Sequence, residues 1–297
     1  MDKASNKKVP VTILTGYLGS GKTTFINYLL KADHGYKFAI IENEFGEVGI
    51  DDGLVLQTEE EIIETMNGCI CCTVRQDLIK TIKKIIKEKK DKFDHIIIET
   101  TGLADPAPVA QTFFIDSEIR ELCRLDSILT FVDAKFTLQH IDEEKPDGVE
   151  NEAMEQVAFA DVLVINKTDL VSEEEIEHIK KRIKGINIHA SIFESKFSQV
   201  PIDKVININR FDLQNILSMD ESFLEDEGHH HHDNSITSFG IHIEGSFNVD
   251  KLNDWLGNLM SEKGQDLYRS KGILSVNGSD EKFVFQSVHM IMNLMVL

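Results

Sequence analysis

Two groups of residues in this chain have the types and spacing that chemistry requires, and they lie about fifty residues apart. The first matches the phosphate loop G-x-x-x-x-G-K-[ST] at every fixed position, in Gly16-Tyr17-Leu18-Gly19-Ser20-Gly21-Lys22-Thr23. The second places three thiols within four residues, in Asn67-Gly68-Cys69-Ile70-Cys71-Cys72. The loop predicts a bound nucleoside triphosphate and the thiols predict a soft metal ion. We therefore expect the chain to use the nucleoside triphosphate in moving the metal ion.

Each residue of the phosphate loop has an expected role. Its glycines let backbone N–H groups converge on phosphate oxygens at the start of a helix. Lys22 would neutralise the terminal phosphates, and the Thr23 hydroxyl would hold magnesium. A predicted strand before the loop and a predicted helix after it favour this interpretation over a chance glycine-rich turn. The nucleotide-binding residues predicted here are Gly16, Gly19, Ser20, Gly21, Lys22, Thr23 and Thr24.

A carboxylate and a glycine follow the apolar run from Ile96 to Ile98. A phosphate-loop enzyme needs a carboxylate on a neighbouring strand for magnesium, and Glu99 stands at that place. Gly102 could present its N–H to the terminal phosphate. Lys22, Glu99 and Gly102 are thus the predicted catalytic residues, with Thr23 and Glu99 at the magnesium ion.

The base is predicted from Asn166-Lys167-Thr168-Asp169, which follows a short apolar strand. The Asp169 carboxylate can accept two hydrogen bonds from guanine, whereas adenine has no such pair of donors. Lys167 would pack over the base, and Asn166 would tie the loop together. The nucleotide is therefore predicted to be GTP.

The three clustered thiols, Cys69, Cys71 and Cys72, can face one ion if the backbone turns tightly there. Gly68 and a predicted break before a helix at Val74 would allow that turn. Thiolates favour zinc or Cu(I) over magnesium, and three of them leave a tetrahedral position open for transfer. Buried structural cysteines are the alternative, and Cys123, which stands alone, is expected in the core.

Further metal ligands are open to either of two interpretations. Glu42 and Glu47 belong to the expected first switch loop and could lend a carboxylate to either metal, or could be solvated surface. His229, His230, His231 and His232 stand in an acidic segment and could recruit metal, or could simply be solvated. We expect GTP to tighten zinc by ordering residues 42–53, because that loop and the thiols are expected to follow the same nucleotide-facing strand.

Strand-like runs alternate with helical periodicity over the first two hundred residues, which predicts an α/β domain with a mostly parallel sheet. The acidic, histidine-rich stretch then interrupts the pattern. We predict a phosphate-loop GTPase domain at 1–217, a linker at 218–235 and a small α+β domain at 236–297. The small domain is expected to begin with an alternating strand-like stretch from Ile236 to Phe247.

The formal charge of −20, from 31 basic and 51 acidic residues in 297, argues against nucleic acid or an anionic membrane as partner. No apolar run has the length of a membrane span, and Met1 to Lys8 lacks the apolar core of a secretion signal. Clustered cysteines suit a reducing compartment. The expected location is the cytoplasm, with the nucleus left open.

Five segments in this order resemble the CobW-like metallochaperone GTPases, and most of all the eukaryotic zinc-regulated GTPase metalloprotein activators. They are GYLGSGKTT, IENEFGEV, NGCICCTV, IIIETTGLADP and INKTDL, and the resemblance runs from about Val9 to His289. It implies a GTP-hydrolysing zinc chaperone that passes zinc from the CxCC motif to an apo-metalloprotein client, with GTP, Mg²⁺ and Zn²⁺ as its ligands. A nucleotide-regulated metal buffer or sensor, and an insertase for another metal such as cobalt, are the alternatives.

Two departures from that family bear on the partners. Some animal members begin with an acidic, proline-containing motif that engages methionine aminopeptidase, and Met1 to Lys8 has none, so this client is one candidate only. Members also usually continue through a further strand and a last helix, whereas this chain stops at Leu297. We therefore expect a truncated second domain with an unpaired edge beside the strand that ends at Val288, and hence lower stability, self-association as a homo-oligomer or impaired client delivery. The alternative is that residues 290–297 fill the gap themselves.

Overall fold

The structure is a computed structural model of the chain. It describes residues 8–44, 61–66, 71–89, 92–146, 151–211, 236, 238, 240–279 and 281–296.

A seven-stranded sheet forms the larger part of the molecule, and every neighbouring pair in it is parallel. Its order is β3-β2-β4-β1-β5-β6-β7. The strands are β1 (Val9–Thr15), β2 (Phe38–Glu44), β3 (Glu61–Met66), β4 (His95–Thr100), β5 (Cys123–Asp133), β6 (Val162–Asn166) and β7 (Ser191–Glu194). The edge strands β3 and β7 were not predicted from the sequence.

Within the described residues, seven α-helices connect these strands along the chain. They are α1 (Lys22–Lys31), α2 (Cys71–Lys89), α3 (Ala107–Ile115), α4 (Ser117–Leu122), α5 (Thr137–Ile141), α6 (Glu152–Phe159) and α7 (Glu173–Ile186). The expected break before Val74 is wrong, because α2 already begins at Cys71.

The central strands are apolar on both sides because helices cover both faces of the sheet. All seven residues of β1 are buried. Ile13 packs in the cluster that holds Ile82 of α2, whereas the next residue, Leu14, packs in the cluster that holds Phe25 of α1. Side chains alternate between the faces of a strand, so the alternation leaves both faces filled.

A smaller antiparallel sheet follows, in the order β10-β9-β8. Its strands are β8 (Arg269–Ser275), β9 (Lys282–Val288) and β10 (Ile291–Val296), and α8 (Val249–Lys263) precedes them. Leu252 and Leu256 of α8 pack with Val276, which follows β8. The prediction of a parallel α/β domain followed by a small α+β domain is confirmed, while the residue limits of the domains stay a prediction.

Two expectations about the small domain are wrong. β9 has no unpaired edge, because residues 291–296 form β10 and pair with it from Ile291↔Val288 to Val296↔Phe283. The described residues of the stretch from Ile236 to Phe247 form no strand apart from a single bridge between Phe247 and Val276. Self-association by an open edge of β9 therefore loses its basis.

In the part of the chain that the structure describes, no helix is both long and apolar enough to cross a membrane.

Candidate functional site

The carboxyl ends of β1, β4 and β6 meet at one edge of the sheet, and the loop between β1 and α1 occupies its centre. Gly16, Gly19 and Gly21 of this loop have φ angles of 137°, 74° and 111°, which side chains rarely tolerate. A Cβ on Gly16 would lie 2.1 Å from the Phe131 carbonyl oxygen, and one on Gly21 would lie 2.3 Å from Asn166 Nδ2. Glycine is therefore required at these two positions for two reasons: a side chain would clash with the neighbouring atom, and the φ angle is positive.

Lys22 lies over the loop that it follows. Its Nζ donates to the carbonyl oxygens of Gly16 at 2.8 Å and Tyr17 at 3.5 Å, and the residue is only 7% exposed. Burial lowers the pKa of the Lys22 ammonium, and the negative charge of Glu99 acts in the opposite direction. The ammonium is thus held over the concave side of the loop, where phosphate oxygens could replace the two carbonyls.

Two further observations favour the binding of an anionic phosphate chain by this loop. Ser20 Oγ is buried and has no hydrogen-bond partner among the residues that the structure describes. A Cβ placed on Gly19 would meet nothing within 4 Å, so space is open on that side of the loop. Thr23 is half-buried and Thr24 is exposed in the first turn of α1.

Two carboxylates lie side by side on neighbouring strands at this edge. Glu99 on β4 is in register with Leu14 of β1 on one side and with Glu42 of β2 on the other. Directly paired residues project to the same face of a sheet, so Glu99 and Glu42 are adjacent there. A magnesium site formed by Thr23 and Glu99 stays a prediction, as does the possible metal-binding role of Glu42. Glu42 lies on β2 and not in the expected switch loop, and its backbone pairs with that of Glu99.

Gly102, in the loop after β4, is packed against the phosphate loop. A Cβ on Gly102 would lie 2.6 Å from both the backbone nitrogen and the Cα of Leu18. The side chain of Thr100, just before, donates to Thr15 Oγ1 at 2.9 Å and so joins the ends of β4 and β1. The backbone around Gly102 thus lies beside the nucleotide loop, as its predicted role requires.

Asn166 joins three loops by hydrogen bonds. Its Nδ2 donates to the Ser20 carbonyl and to Ser198 Oγ, both at 2.9 Å, and its Oδ1 accepts from the Ser198 backbone N–H at 2.9 Å. Ser198 Oγ in turn donates to the Gly21 carbonyl at 2.9 Å. The predicted base loop is thereby fixed to the phosphate loop.

The two charged residues of the predicted base loop, Lys167 and Asp169, are partly or fully exposed. Lys167 adopts a left-handed φ of 61°, and its Nζ donates to Asp133 Oδ2 at 2.6 Å. Asp169 is exposed in the 3₁₀ turn Thr168–Leu170, which leaves its carboxylate accessible to a base. The ion pair with Asp133, at the end of β5, was not expected from the sequence.

Ser198 is a site residue that the sequence did not indicate. It lies in the loop after the unpredicted strand β7, where Phe197 and Ser198 have φ angles of 54° and 59°. Side chains rarely adopt such angles, and two in succession mark a loop whose shape is fixed by its contacts. No local sequence pattern reveals this, because its partners lie 32 and 177 residues away.

The predicted metal ligands are only partly described. Cys69, Glu47 and the run His229, His230, His231 and His232 lie outside the described residues. Cys71 and Cys72 form the start of α2, and the structure describes their backbone only.

Cys71 and Cys72 follow β3, whereas the switch loop follows β2, so the expectation that the thiols and the switch loop follow one strand is wrong. β2 and β3 are parallel neighbours, so their carboxyl ends, at Glu44 and Met66, lie at the same edge of the sheet. Among the residues described, no three His, Cys, Asp or Glu side chains form a group that could hold a metal.

A parallel α/β sheet with this loop at its centre defines a phosphate-loop nucleotide-binding protein. The model of the CobW/HypB/UreG nucleotide-binding domain matches residues 10–194, and that of the cobalamin synthesis protein cobW C-terminal domain matches residues 236–297. The chain belongs to the CobW family of GTPases, and the resemblance seen in its sequence is confirmed.

Several curated proteins are similar over most of the chain. Zinc-regulated GTPase metalloprotein activator 1 of Dictyostelium discoideum is 35% identical over 93% of this chain and 64% of its own length. The zinc chaperone YjiA of Escherichia coli is 34% identical over 94% of this chain and 86% of its own length. The crystal structure of the zinc-bound YjiA GTPase superposes with a TM-score of 0.77 at 28% identity, covering 98% of this chain and 89% of that one. The chain thus spans less than two thirds of the Dictyostelium relative.

Proposed function

We propose that this protein is a GTP-hydrolysing zinc chaperone that binds zinc at Cys69, Cys71 and Cys72 and delivers it to an apo-metalloprotein client. The observation that carries the proposal is the common edge of the sheet. The carboxyl ends of β1, β2 and β3 lie there, and the phosphate loop follows β1 while α2, which carries Cys71 and Cys72 at its start, follows β3. β4 and β2 are the two strands between β1 and β3, so a change at the terminal phosphate can reach the thiols across these two strands.

At the nucleotide, each residue has a separate task. Lys22 places its charge on the terminal phosphates, where buried charge stabilises the transition state for phosphoryl transfer. Thr23 and Glu99 would hold magnesium, which would neutralise charge on the phosphates. The Gly102 N–H donates a hydrogen bond to the terminal phosphate, and Asp169 selects guanine.

Zinc as the cargo is supported by the thiols and by the relatives. Three thiolates bind zinc well and leave one tetrahedral position for the ligand of a recipient. Two similar proteins carry names that state a zinc function, the zinc chaperone YjiA and zinc-regulated GTPase metalloprotein activator 1. The client is a protein whose own site lacks its metal.

The test is the zinc affinity in the two nucleotide states, measured by competition with a chelator. Zinc should bind about tenfold more tightly with a non-hydrolysable GTP analogue than with GDP, and by linkage zinc should tighten the analogue by the same factor. Replacing Cys69, Cys71 and Cys72 with Ser should abolish zinc binding and spare GTP. Cys123→Ala is the matched control, because Cys123 is buried in the core. Equal zinc affinity in both states would refute the coupling, and zinc binding by the triple variant would refute the site.

A further inference from the structure

Gln156 is a buried side chain that fastens the loop after β4. It lies on α6, is 1% exposed, and its Nε2 donates to the carbonyl oxygens of Gly102 and Ala104, both at 3.2 Å. One amide group therefore holds two backbone carbonyls of the same short loop. Its own backbone carbonyl accepts a hydrogen bond from Thr130 Oγ1 of β5 at 3.1 Å, which fixes α6 to the sheet.

These bonds set the place of the Gly102 backbone. Gly102 already touches Leu18 of the phosphate loop, so the loop has the phosphate loop on one side and Gln156 on the other. A displacement of this loop on nucleotide exchange must either carry α6 with it or break both bonds to Gln156.

α6 is packed as a single rigid unit. Seven consecutive residues, 153–159, are buried. Asn187 Nδ2 donates to the carbonyls of Val157, Ala158 and Ala160 at 2.9, 3.2 and 2.8 Å, so the end of the helix is held by one side chain. Close-packed elements of this kind shift between discrete positions and do not deform gradually.

The same end of α6 contacts the C-terminal sheet. The Phe159 carbonyl accepts from Arg269 Nη1 at 2.8 Å, and the Phe159 ring meets Tyr268 edge-on at 5.4 Å between centroids. Asp161, which follows the helix, pairs with Arg269 at 2.5 Å and Lys271 at 3.2 Å. Gln156 and Phe159 are three residues apart, or about 4.5 Å along a helix axis. The same short helix thus contacts the Gly102 loop and strand β8.

We propose that Gln156 is a positioning residue for the nucleotide. It holds the Gly102 backbone in the arrangement that receives the terminal phosphate, and through α6 it links that arrangement to the docking of the C-terminal sheet on Asp161. The inference rests on the proposed GTPase function and adds the route by which the nucleotide state reaches the second domain.

The chemistry of the amide allows a specific test. Gln156→Glu keeps the shape but puts a carboxylate, which can only accept, against two carbonyl oxygens. Gln156→Met keeps much of the volume and removes the donor without adding charge. Gln139→Glu is the matched control, because Gln139 is exposed on α5 and undergoes the same chemical change.

The first measurement compares binding of GDP and of a non-hydrolysable GTP analogue, together with kcat and KM for GTP. Gln156→Met should weaken the analogue about tenfold, the effect of losing one or two buried hydrogen bonds, and lower kcat while leaving GDP affinity nearly unchanged. Gln156→Glu should have the larger effect, and Gln139→Glu none. If the affinities for GDP and for the analogue fall by the same factor, Gln156 serves only in packing and the inference is overturned. If the wild-type chain hydrolyses GTP and both Gln156 variants behave like it, this inference alone is overturned. If the wild-type chain binds no GTP, the proposed function is overturned.

The second measurement needs no substitution at Gln156. Amide hydrogen exchange of β8 in the wild-type chain should differ between the GDP and GTP-analogue states. Arg269→Ala should change the preference for the analogue over GDP, because the coupling is reciprocal. Arg182→Ala is the control, since it removes an ion pair between Arg182 of α7 and the exposed Asp142, which follows α5. Identical exchange of β8 in the two states, or an unchanged nucleotide preference in Arg269→Ala, would overturn the link to the C-terminal sheet.

Discussion

At the scale of single residues, the nucleotide site is held by side chains that satisfy backbone groups of other loops. Asn166 and Ser198 together make four hydrogen bonds that join the phosphate loop, the base loop and the loop after β7. Buried amides and hydroxyls of this kind are costly unless all their partners are present. The arrangement therefore presents Asp169 at a fixed place while leaving its carboxylate exposed.

Replacing Asp169 with Asn should weaken GTP binding, because the charged acceptor for guanine is lost. The cost should be about 1.5–3 kcal/mol, the range for a hydrogen bond to a charged group, and affinity for ATP should change little. Calorimetric titration with both nucleotides measures it. Asp203→Asn is the control, since Asp203 is also exposed in a 3₁₀ turn. Unchanged GTP affinity in Asp169→Asn would remove Asp169 from the base site.

At the scale of elements, the central strands could be predicted because each is a buried apolar run ending in a polar motif. The edge strands β3 and β7 could not, since an edge strand needs less apolar sequence and its pairing is decided by a distant neighbour. The start of α2 at Cys71 was missed for a related reason. The glycine before the thiols was interpreted as a sign of a longer turn, whereas the helix takes in two of the three cysteines. That residues 290–297 fill the gap beside β9 could be stated only as an alternative, because the pairing of β10 with β9 is a tertiary contact.

Gly102 offers a test of the contact between two loops. Gly102→Ala would place a Cβ 2.6 Å from the Leu18 backbone, so the loop after β4 must move away from the phosphate loop. We expect GTP hydrolysis to fall by about tenfold or more, since the N–H that we propose binds the terminal phosphate is displaced, in line with the loss of one preorganised donor. Steady-state kinetics measures this.

The control for that variant is Gly185→Ala. Gly185 lies in α7, where a Cβ would meet nothing within 4 Å. Alanine there should raise the free energy of unfolding by up to about 1 kcal/mol and leave hydrolysis unchanged. Full activity of Gly102→Ala would contradict the proposed role of Gly102.

At the scale of the whole molecule, buried titratable groups lie away from the nucleotide edge. His95 begins β4, is fully buried, and is hydrogen-bonded to Thr12 Oγ1 at 2.8 Å, which in turn donates to Asp126. Burial, with a smaller effect of the Arg124 charge, lowers the pKa of His95 to about 3. Burial and the charge of Lys271 lower the pKa of His189 to about 4.

Both histidines should make the fold sensitive to acid. In the unfolded chain they bind protons below about pH 6.5, whereas in the folded chain they stay neutral down to pH 4 or lower. The free energy of unfolding should therefore fall as the pH drops from 6.5 towards 4. Urea titrations at pH 7 and 4.5 would measure the loss. It should shrink in His95→Gln and persist in His178→Gln, because His178 is exposed on α7. Equal stability at the two pH values would contradict the neutral, buried state.

The central claim is that GTP hydrolysis drives zinc delivery, and the most direct measurement is the rate of zinc transfer to an apo-metalloenzyme. Apo-methionine aminopeptidase, a candidate client, serves as acceptor, and recovery of its activity reports transfer from the zinc-loaded chain. We expect GTP to speed transfer beyond the rates with GDP or a non-hydrolysable analogue, and Lys22→Ala to remove the acceleration because its charge serves the phosphates. Transfer at one rate under all four conditions would contradict the claim and leave a protein that only stores zinc.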